Sequence, residues 1–199
     1  MAADFTPPQT RYTESEGLSI AYQVFGSGAQ DLVVVPGIVS HLEENWRDAG
    51  YVAVMRRLGQ NFRVILFDKL GQGLSDRFEG VPTLERRMDD VRTVMQAVGS
   101  ARAVLFAQSE GGSMAAVFTA TYPAMVERLV LYGTMARFTQ ASDYPFMPPL
   151  DRMLAAIGKS WERLCRCVVL RPAGRTTRRI ANLRPGSSAC LPRPARSAS

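Results

Sequence analysis

The sequence predicts an α/β fold, built on a mainly parallel, doubly wound sheet with helices on both faces. Short apolar runs, typical of buried strands, alternate along the chain with longer stretches of helical periodicity. Several of the runs are apolar at every position, as parallel strands need to be when helices cover both faces. We expect about five strands before residue 133.

The five predicted strands are Leu18–Phe25, Asp31–Val35, Arg63–Phe67, Ala103–Ala107 and Val126–Tyr132. Only a Gly-Ser-Gly turn joins the first strand to the second, so we expect the first to be antiparallel and at the edge of the sheet.

Helices are predicted between these strands. Thr83 can cap a helix whose apolar side chains recur every three or four residues, and Gly99 ends it. A second helix, 112–122, is apolar nearly all round, as a helix buried behind a sheet should be. Shorter helices are expected over 51–58 and 150–161.

Charge divides the chain at residue 162. Residues 162–199 hold nine arginines, one glutamate and no lysine, while residues 1–161 hold 15 basic and 17 acidic residues, so the net charge of +6 comes from the tail. We therefore expect a flexible arm over 1–10, one domain over 11–161, and a disordered Arg- and Pro-rich tail over 162–199.

Two hypotheses account for the tail. The abrupt change of composition near Trp161 predicts a frameshifted or misannotated end, which sequencing the gene across the codons for residues 160–166 would test. The alternative is a basic arm that binds nucleic acid. No aromatic residue follows Trp161 to stack on bases, so the sequence favours no nucleic-acid partner.

Membrane and metal chemistry are not expected. No run approaches about 18 consecutive apolar residues, and the N-terminus lacks a signal-peptide pattern, which predicts a cytoplasmic protein. The three cysteines (Cys165, Cys167 and Cys190) lie in the tail without a nearby histidine, so neither a disulfide framework nor a metal site is predicted. We expect no cofactor.

The candidate catalytic residue is Ser109, in Ala-Gln-Ser-Glu-Gly after a predicted strand. A serine at a sharp strand–helix turn needs small residues two positions before and after it, and Ala107 and Gly111 meet that need. The pattern is G-x-S-x-G with alanine in the first glycine position. The competing interpretation is an ordinary strand-to-helix turn with a serine cap.

Four ordered motifs together resemble the α/β-hydrolase superfamily over roughly residues 10–161. They are a strand followed by Pro36-Gly37, the D-x-x-G-x-G-x-S-D loop of 68–76, the serine turn, and Y-P-x-x-V-x-x-L-V-L from Tyr122. Three further segments resemble hydrolase-type modules found alone or fused to bacterial class III nucleotide cyclases or transcriptional regulators. They are YTESEGLSIAYQVFGSG, VPGIVSHLEENW and ASDYPF.

The resemblance implies the role of each site residue. Ser109 matches the nucleophile, and the backbone N–H groups of Ile38 and Glu110 match the oxyanion donors, which makes their side chains incidental. Loop 68–76 shapes the site. His41 is a possible pocket-lining residue.

The sequence departs from the family at the general base. No histidine follows Ser109, and the single histidine, His41, precedes it. Two interpretations of His41 compete: a general base, or a solvent-facing or hydrogen-bonded loop residue. The candidates for the acid are Asp143 and Asp151. The last two strands of the family pattern are also missing, so we expect an incomplete fold with an open sheet edge that favours self-association.

Three functions follow. The first is a serine hydrolase of small-molecule esters or similar acyl compounds, weak or inactive without its base. The second is a non-catalytic ligand-binding or sensory module. The third is a non-functional gene fragment.

Overall fold

The computed structural model describes residues 6–80 and 82–158. It contains one six-stranded sheet in the order β1-β2-β4-β3-β5-β6. The strands are β1 (Arg11–Ser15), β2 (Leu18–Phe25), β3 (Gln30–Val35), β4 (Phe62–Phe67), β5 (Ala103–Gln108) and β6 (Val126–Tyr132). β3 pairs in parallel with β4 and β5, and β5 pairs in parallel with β6. The predicted, mainly parallel sheet is confirmed.

Helices cover both faces of the sheet, as predicted. They are α1 (Leu42–Asn45), α2 (Ala49–Gly59), α3 (Leu84–Ala97) and α4 (Gly111–Thr121). Alternate residues of β3 face opposite cores: Val33 and Val35 lie in the core with α3 and α4, while Leu32 and Val34 lie in the core with α1 and α2. Thr83 caps α3 as predicted, because its side chain accepts a hydrogen bond from the Arg86 N–H.

The prediction for the first strand was wrong in two respects. β2 is antiparallel, as expected, but it lies inside the sheet between β1 and β4, and it does not pair with β3. The missed strand, β1, forms the edge instead. Its sequence, Arg-Tyr-Thr-Glu-Ser, carries no apolar pattern because four of its five residues are exposed or half-buried.

The β1–β2 connection explains how so polar a strand is held. Glu16 and Gly17 both have positive φ, 52° and 78°. Two consecutive residues of this kind make the tight hairpin turn whose twist matches that of paired strands. The turn fixes the register from Ser15 opposite Leu18 to Arg11 opposite Tyr22.

β6 forms the other edge of the described sheet, and Val130, Leu131 and Tyr132 near its end are exposed. Self-association through this edge stays a prediction. Residues 150–158 are helical, in agreement with the expected helix as far as it is described. The three cysteines and the proposed disordered tail lie outside the described residues. No helix of the described chain is long and apolar enough to cross a membrane.

Candidate active site

Ser109 occupies a two-residue turn between β5 and α4. Its φ is +49°, in the left-handed region that residues with a side chain rarely adopt. Two backbone hydrogen bonds hold the turn: the Ser109 N–H donates to the Tyr132 carbonyl at 3.0 Å, and the Gly112 N–H donates to the Ser109 carbonyl at 3.1 Å. The strain is therefore maintained by the adjoining strand and helix, as at a nucleophile turn.

Small residues let the turn approach its neighbours. A Cβ on Gly37 would lie 3.2 Å from the Ser109 Cβ, and one on Gly111 would lie 2.4 Å from the Pro36 carbonyl oxygen. Ala107 is fully buried. The Pro36-Gly37 loop thus contacts both the nucleophile turn and the first residue of α4.

Replacing Gly111 by alanine is expected to lower the free energy of unfolding by about 2–4 kcal/mol, because backbone must move to admit the methyl group. The matched control is Gly158→Ala, in the 150–158 helix, where an added Cβ meets nothing within 4 Å. There alanine should be neutral or stabilising by up to about 1 kcal/mol. Urea denaturation of both variants measures the difference, and equal effects would contradict the close approach.

The backbone N–H groups of Ile38 and Glu110 are the candidate oxyanion donors. Neither donates a hydrogen bond to any residue that the structure describes. They belong to two loops in contact through Gly37 and Ser109. The Gln72 Nε2 donates to the Ile38 carbonyl at 2.6 Å, and the Ser40 Oγ donates to the Gln72 Oε1 at 3.3 Å. These bonds fix the first loop while leaving its N–H available.

The 68–76 loop is hydrogen-bonded to its neighbouring elements, chiefly through the buried carboxylate of Asp68. Its Oδ2 accepts the N–H of Leu42, at the start of α1, at 3.1 Å and the N–H of Leu74 at 2.9 Å. The Ser75 Oγ donates to the Asp68 carbonyl at 2.6 Å and accepts the Ala21 N–H at 2.9 Å. The loop thereby joins β2, β4 and α1.

A cavity of about 170 Å³ lies between this loop and the Pro36-Gly37 loop. Gly37 and Gln108 place it beside the nucleophile turn, and Asp68, Tyr51 and Ser40 contribute polar groups to its wall. Burial raises the pKa of Tyr51 to about 12, so the phenol stays protonated there at neutral pH. In the part of the chain that the structure describes, no group of His, Cys, Asp or Glu side chains could hold a metal ion.

His41 is the N-cap of α1. Its Nδ1 accepts the Glu44 N–H at 3.3 Å, which leaves one ring nitrogen for other contacts. It is not among the residues lining the cavity beside Ser109.

In the part of the chain that is described, no general base or acid lies against Ser109. Its Oγ has no hydrogen-bond partner within residues 6–80 and 82–158. Asp143 is exposed and lies 3.6 Å from Arg137, while Asp151 is exposed in the 150–158 helix. The structure brings the Ser109 turn and the Pro36-Gly37 loop together, the roles of Ser109, Ile38 and Glu110 stay predictions, and no described residue completes a triad.

A buried charged cluster behind the turn was not anticipated. It comprises Lys69, Arg87, Asp90 and Glu110. Lys69, fully buried, forms an ion pair with the Glu110 Oε2, and the Arg87 Nε lies 3.9 Å from the Glu110 Oε1. Burial lowers the pKa of Lys69, and Glu110 opposes that change. The Glu110 side chain, expected to be incidental to the role of its N–H group, is the ion-pair partner of a buried cation.

Asp90 makes the free energy of unfolding depend on pH. Burial raises its pKa to about 6, against the opposing effects of the Leu70 N–H and of three nearby cations. A carboxyl with a raised folded-state pKa binds more protons folded than unfolded between pH 3.8 and about 6. Its contribution to stability is complete below pH 3.8 and is lost as the pH rises through 6.

Asp90→Asn should flatten this part of the stability–pH curve and raise the free energy of unfolding at pH 7.5 by about 1–3 kcal/mol. The control is Asp89→Asn on the same helix, whose carboxylate is half-buried and pairs with Arg92 at 3.1 Å. Urea denaturation between pH 4 and 7.5 makes the comparison. If the free energy of unfolding changes with pH as steeply in Asp90→Asn as in the wild type, Asp90 is not the source of the pH dependence.

Comparison with known proteins supports the α/β-hydrolase fold. The family model described as serine aminopeptidase, S33, matches residues 29–178. The chain is 28% identical to epoxide hydrolase 3 of Mus musculus, over 59% of this chain and 31% of that protein. It is 27% identical to the serine hydrolase BPHL of Homo sapiens, over 62% of this chain and 42% of that protein.

Among solved structures, the chain is similar to the esterase EaEST from Exiguobacterium antarcticum. The TM-score is 0.63 at 26% identity, covering 74% of this chain and 53% of the esterase. The chain thus spans less than half the length of both curated relatives and about half that of the esterase. Since the family model matches three quarters of the sequence, the chain belongs to the serine aminopeptidase S33 family of the α/β-hydrolase superfamily.

Proposed function

We propose that this protein is a hydrolase of carboxylic esters or similar acyl compounds, with Ser109 as its nucleophile. The observation that carries the proposal is the strained Ser109 turn, which contacts Gly37 in a loop whose Ile38 N–H donates to no residue of the described chain. Relatives named as a serine hydrolase and an esterase support the choice of chemistry.

The reaction follows from these groups. The Ser109 Oγ attacks the carbonyl carbon and the carbonyl oxygen becomes negatively charged. The N–H groups of Ile38 and Glu110 donate to that oxyanion, which lowers the barrier because these backbone dipoles are oriented before the charge forms. Collapse of the intermediate expels the alcohol and leaves an acyl-serine, which water then hydrolyses.

Turnover is expected to be slow. A serine hydroxyl attacks poorly unless a base removes its proton, and the sequence has one histidine, which caps α1. No described side chain accepts the Ser109 proton. Bulk water is then the acceptor, and donation to the oxyanion provides the remaining rate enhancement.

The test is hydrolysis of a p-nitrophenyl ester series by the wild type and by Ser109→Ala. We expect slow hydrolysis by the wild type that is lost in the variant. Equal rates for the two proteins would contradict the proposal. Fast, Ser109-dependent turnover with a bell-shaped pH profile would instead show that a base is present.

A second candidate is a ligand-binding module without turnover. The Ser109 hydroxyl, which has no hydrogen-bond partner among the described residues, and the adjoining cavity of about 170 Å³ favour it. It predicts that short acyl compounds raise the thermal midpoint in both the wild type and Ser109→Ala without product formation. The absence of any shift would count against it.

A further inference from the structure

The carboxylate of Glu110 is held by groups from two other parts of the fold. Lys69, which follows β4, forms an ion pair with one carboxylate oxygen, and Arg87 on α3 lies 3.9 Å from the other. The three side chains are 0%, 19% and 23% exposed for Lys69, Arg87 and Glu110. The ion pair is therefore much less accessible to solvent than an ion pair on the protein surface.

Glu110 also occupies the position most sensitive to the geometry of the turn. It is the N-cap residue of α4, yet its side chain makes no capping hydrogen bond and points to Lys69 instead. Its own N–H belongs to the peptide unit that joins it to Ser109. The orientation of that unit depends on the ψ of Ser109 and on the φ of Glu110, which is −62°.

This peptide unit lies next to a strained residue. Relaxation of Ser109 from φ +49° toward negative φ would turn the backbone and with it the direction of the Glu110 N–H. An anchored Glu110 side chain resists that turn because the Lys69 cation cannot follow without leaving its buried position. The ion pair with Lys69 therefore restrains the direction of the N–H that the reaction requires.

We propose that the Lys69–Glu110 ion pair, supported by Arg87, is a positioning device that aims the Glu110 N–H at the oxyanion. This inference rests on the proposed hydrolase function. Glu110 contributes its N–H to the reaction, whereas Lys69 and the Glu110 carboxylate act through that N–H and touch no substrate.

A role in stability alone makes a different prediction. Buried ion pairs often contribute little net stability, and a neutral pair of similar volume can replace both partners without loss. If Lys69 and Glu110 only fill and stabilise the cluster, activity should recover whenever stability does. If they position the N–H, a neutral pair should restore stability without restoring kcat.

The experiment compares Lys69→Met, Glu110→Gln and the double variant. The matched control is Arg63→Met, Asp31→Asn and their double variant, because Arg63 and Asp31 form a bidentate ion pair between β4 and β3 at the opposite end of the sheet from Ser109. For each protein the thermal midpoint, kcat and KM are measured with a p-nitrophenyl ester.

Both single variants of the Lys69–Glu110 pair should lose thermal stability, and the double variant should regain most of it. All three should retain KM within about twofold and lose kcat by about tenfold or more, part of the effect of removing an oxyanion donor. The control set should lose stability at unchanged kcat. Recovery of kcat in the Lys69→Met/Glu110→Gln double variant would overturn the proposal.

Amide hydrogen exchange gives a readout that needs no turnover. Exchange at the Ser109 and Gly112 N–H groups, whose hydrogen bonds hold the turn, should be at least about tenfold faster in Lys69→Met than in the wild type, with the amides of β5 unchanged. Unchanged exchange at both groups would also overturn the proposal. If the wild type shows no Ser109-dependent turnover, the hydrolase function fails, and exchange alone decides whether the ion pair orients the turn.

Discussion

Replacing Ser109 by glycine is expected to abolish ester hydrolysis and, at the same time, to raise the free energy of unfolding by about 0.5–1 kcal/mol. The two effects have one cause: the residue that we propose as the nucleophile has φ +49°, where glycine is not strained. The gain is partly offset by the greater freedom of glycine in the unfolded chain. Initial rates on p-nitrophenyl esters and urea denaturation measure the two effects.

Ser109→Ala is the matched control for this pair of effects. It removes the same hydroxyl but keeps a Cβ at the strained position, so hydrolysis should fall to the buffer rate without a gain in stability. If Ser109→Gly is no more stable than Ser109→Ala, the backbone at this turn stores no strain. If either variant keeps the wild-type rate, Ser109 is not the nucleophile.

Gly73→Ala is expected to have the largest effect on stability, a loss of more than about 3 kcal/mol. Gly73 has φ +48°, and an added Cβ would lie 2.0 Å from the Asp68 Oδ2. That oxygen accepts the N–H groups of Leu42 and Leu74, so displacing it breaks both bonds and loosens the start of α1. The buried N–H of Leu42 and the partly buried N–H of Leu74 would then lack a partner.

Gly17→Ala separates the steric effect from the backbone effect. Gly17 also has a positive φ, 78°, but an added Cβ there meets nothing within 4 Å. Its replacement should lower the free energy of unfolding by only about 1 kcal/mol. Thermal and urea denaturation of the two variants give the comparison, and similar losses would mean that the contact between Gly73 and Asp68 contributes nothing.

The central strands were predictable because they are buried on both faces. The sequences of β3, β4 and β5 contain continuous apolar runs, and each observed strand is one residue longer than predicted, at one end only. β1 carried no such signal. An edge strand held by a hairpin turn can be polar, and its identity depends on pairing with β2, which periodicity does not report.

The site was predictable where local chemistry fixes the backbone. The turn at Ser109 could be placed because a sharp strand–helix turn needs small neighbours, a requirement visible in the sequence. The Lys69–Glu110 pair could not, because 41 residues separate its members. A signal was nevertheless present: Glu110 is a charged residue within an otherwise uncharged segment, and Lys69 lies two residues after the end of a buried strand.

The central claim, that Ser109 is a nucleophile beside oriented oxyanion donors, is tested most directly by covalent capture. A fluorophosphonate is attacked by a nucleophilic serine hydroxyl, slowly where no base assists, and its adduct mimics the tetrahedral intermediate. We predict one added phosphonyl group per chain, mapped by mass spectrometry to the peptide containing Ser109 and lost in Ser109→Ala. Labelling that is absent, or that persists in Ser109→Ala, would contradict the claim.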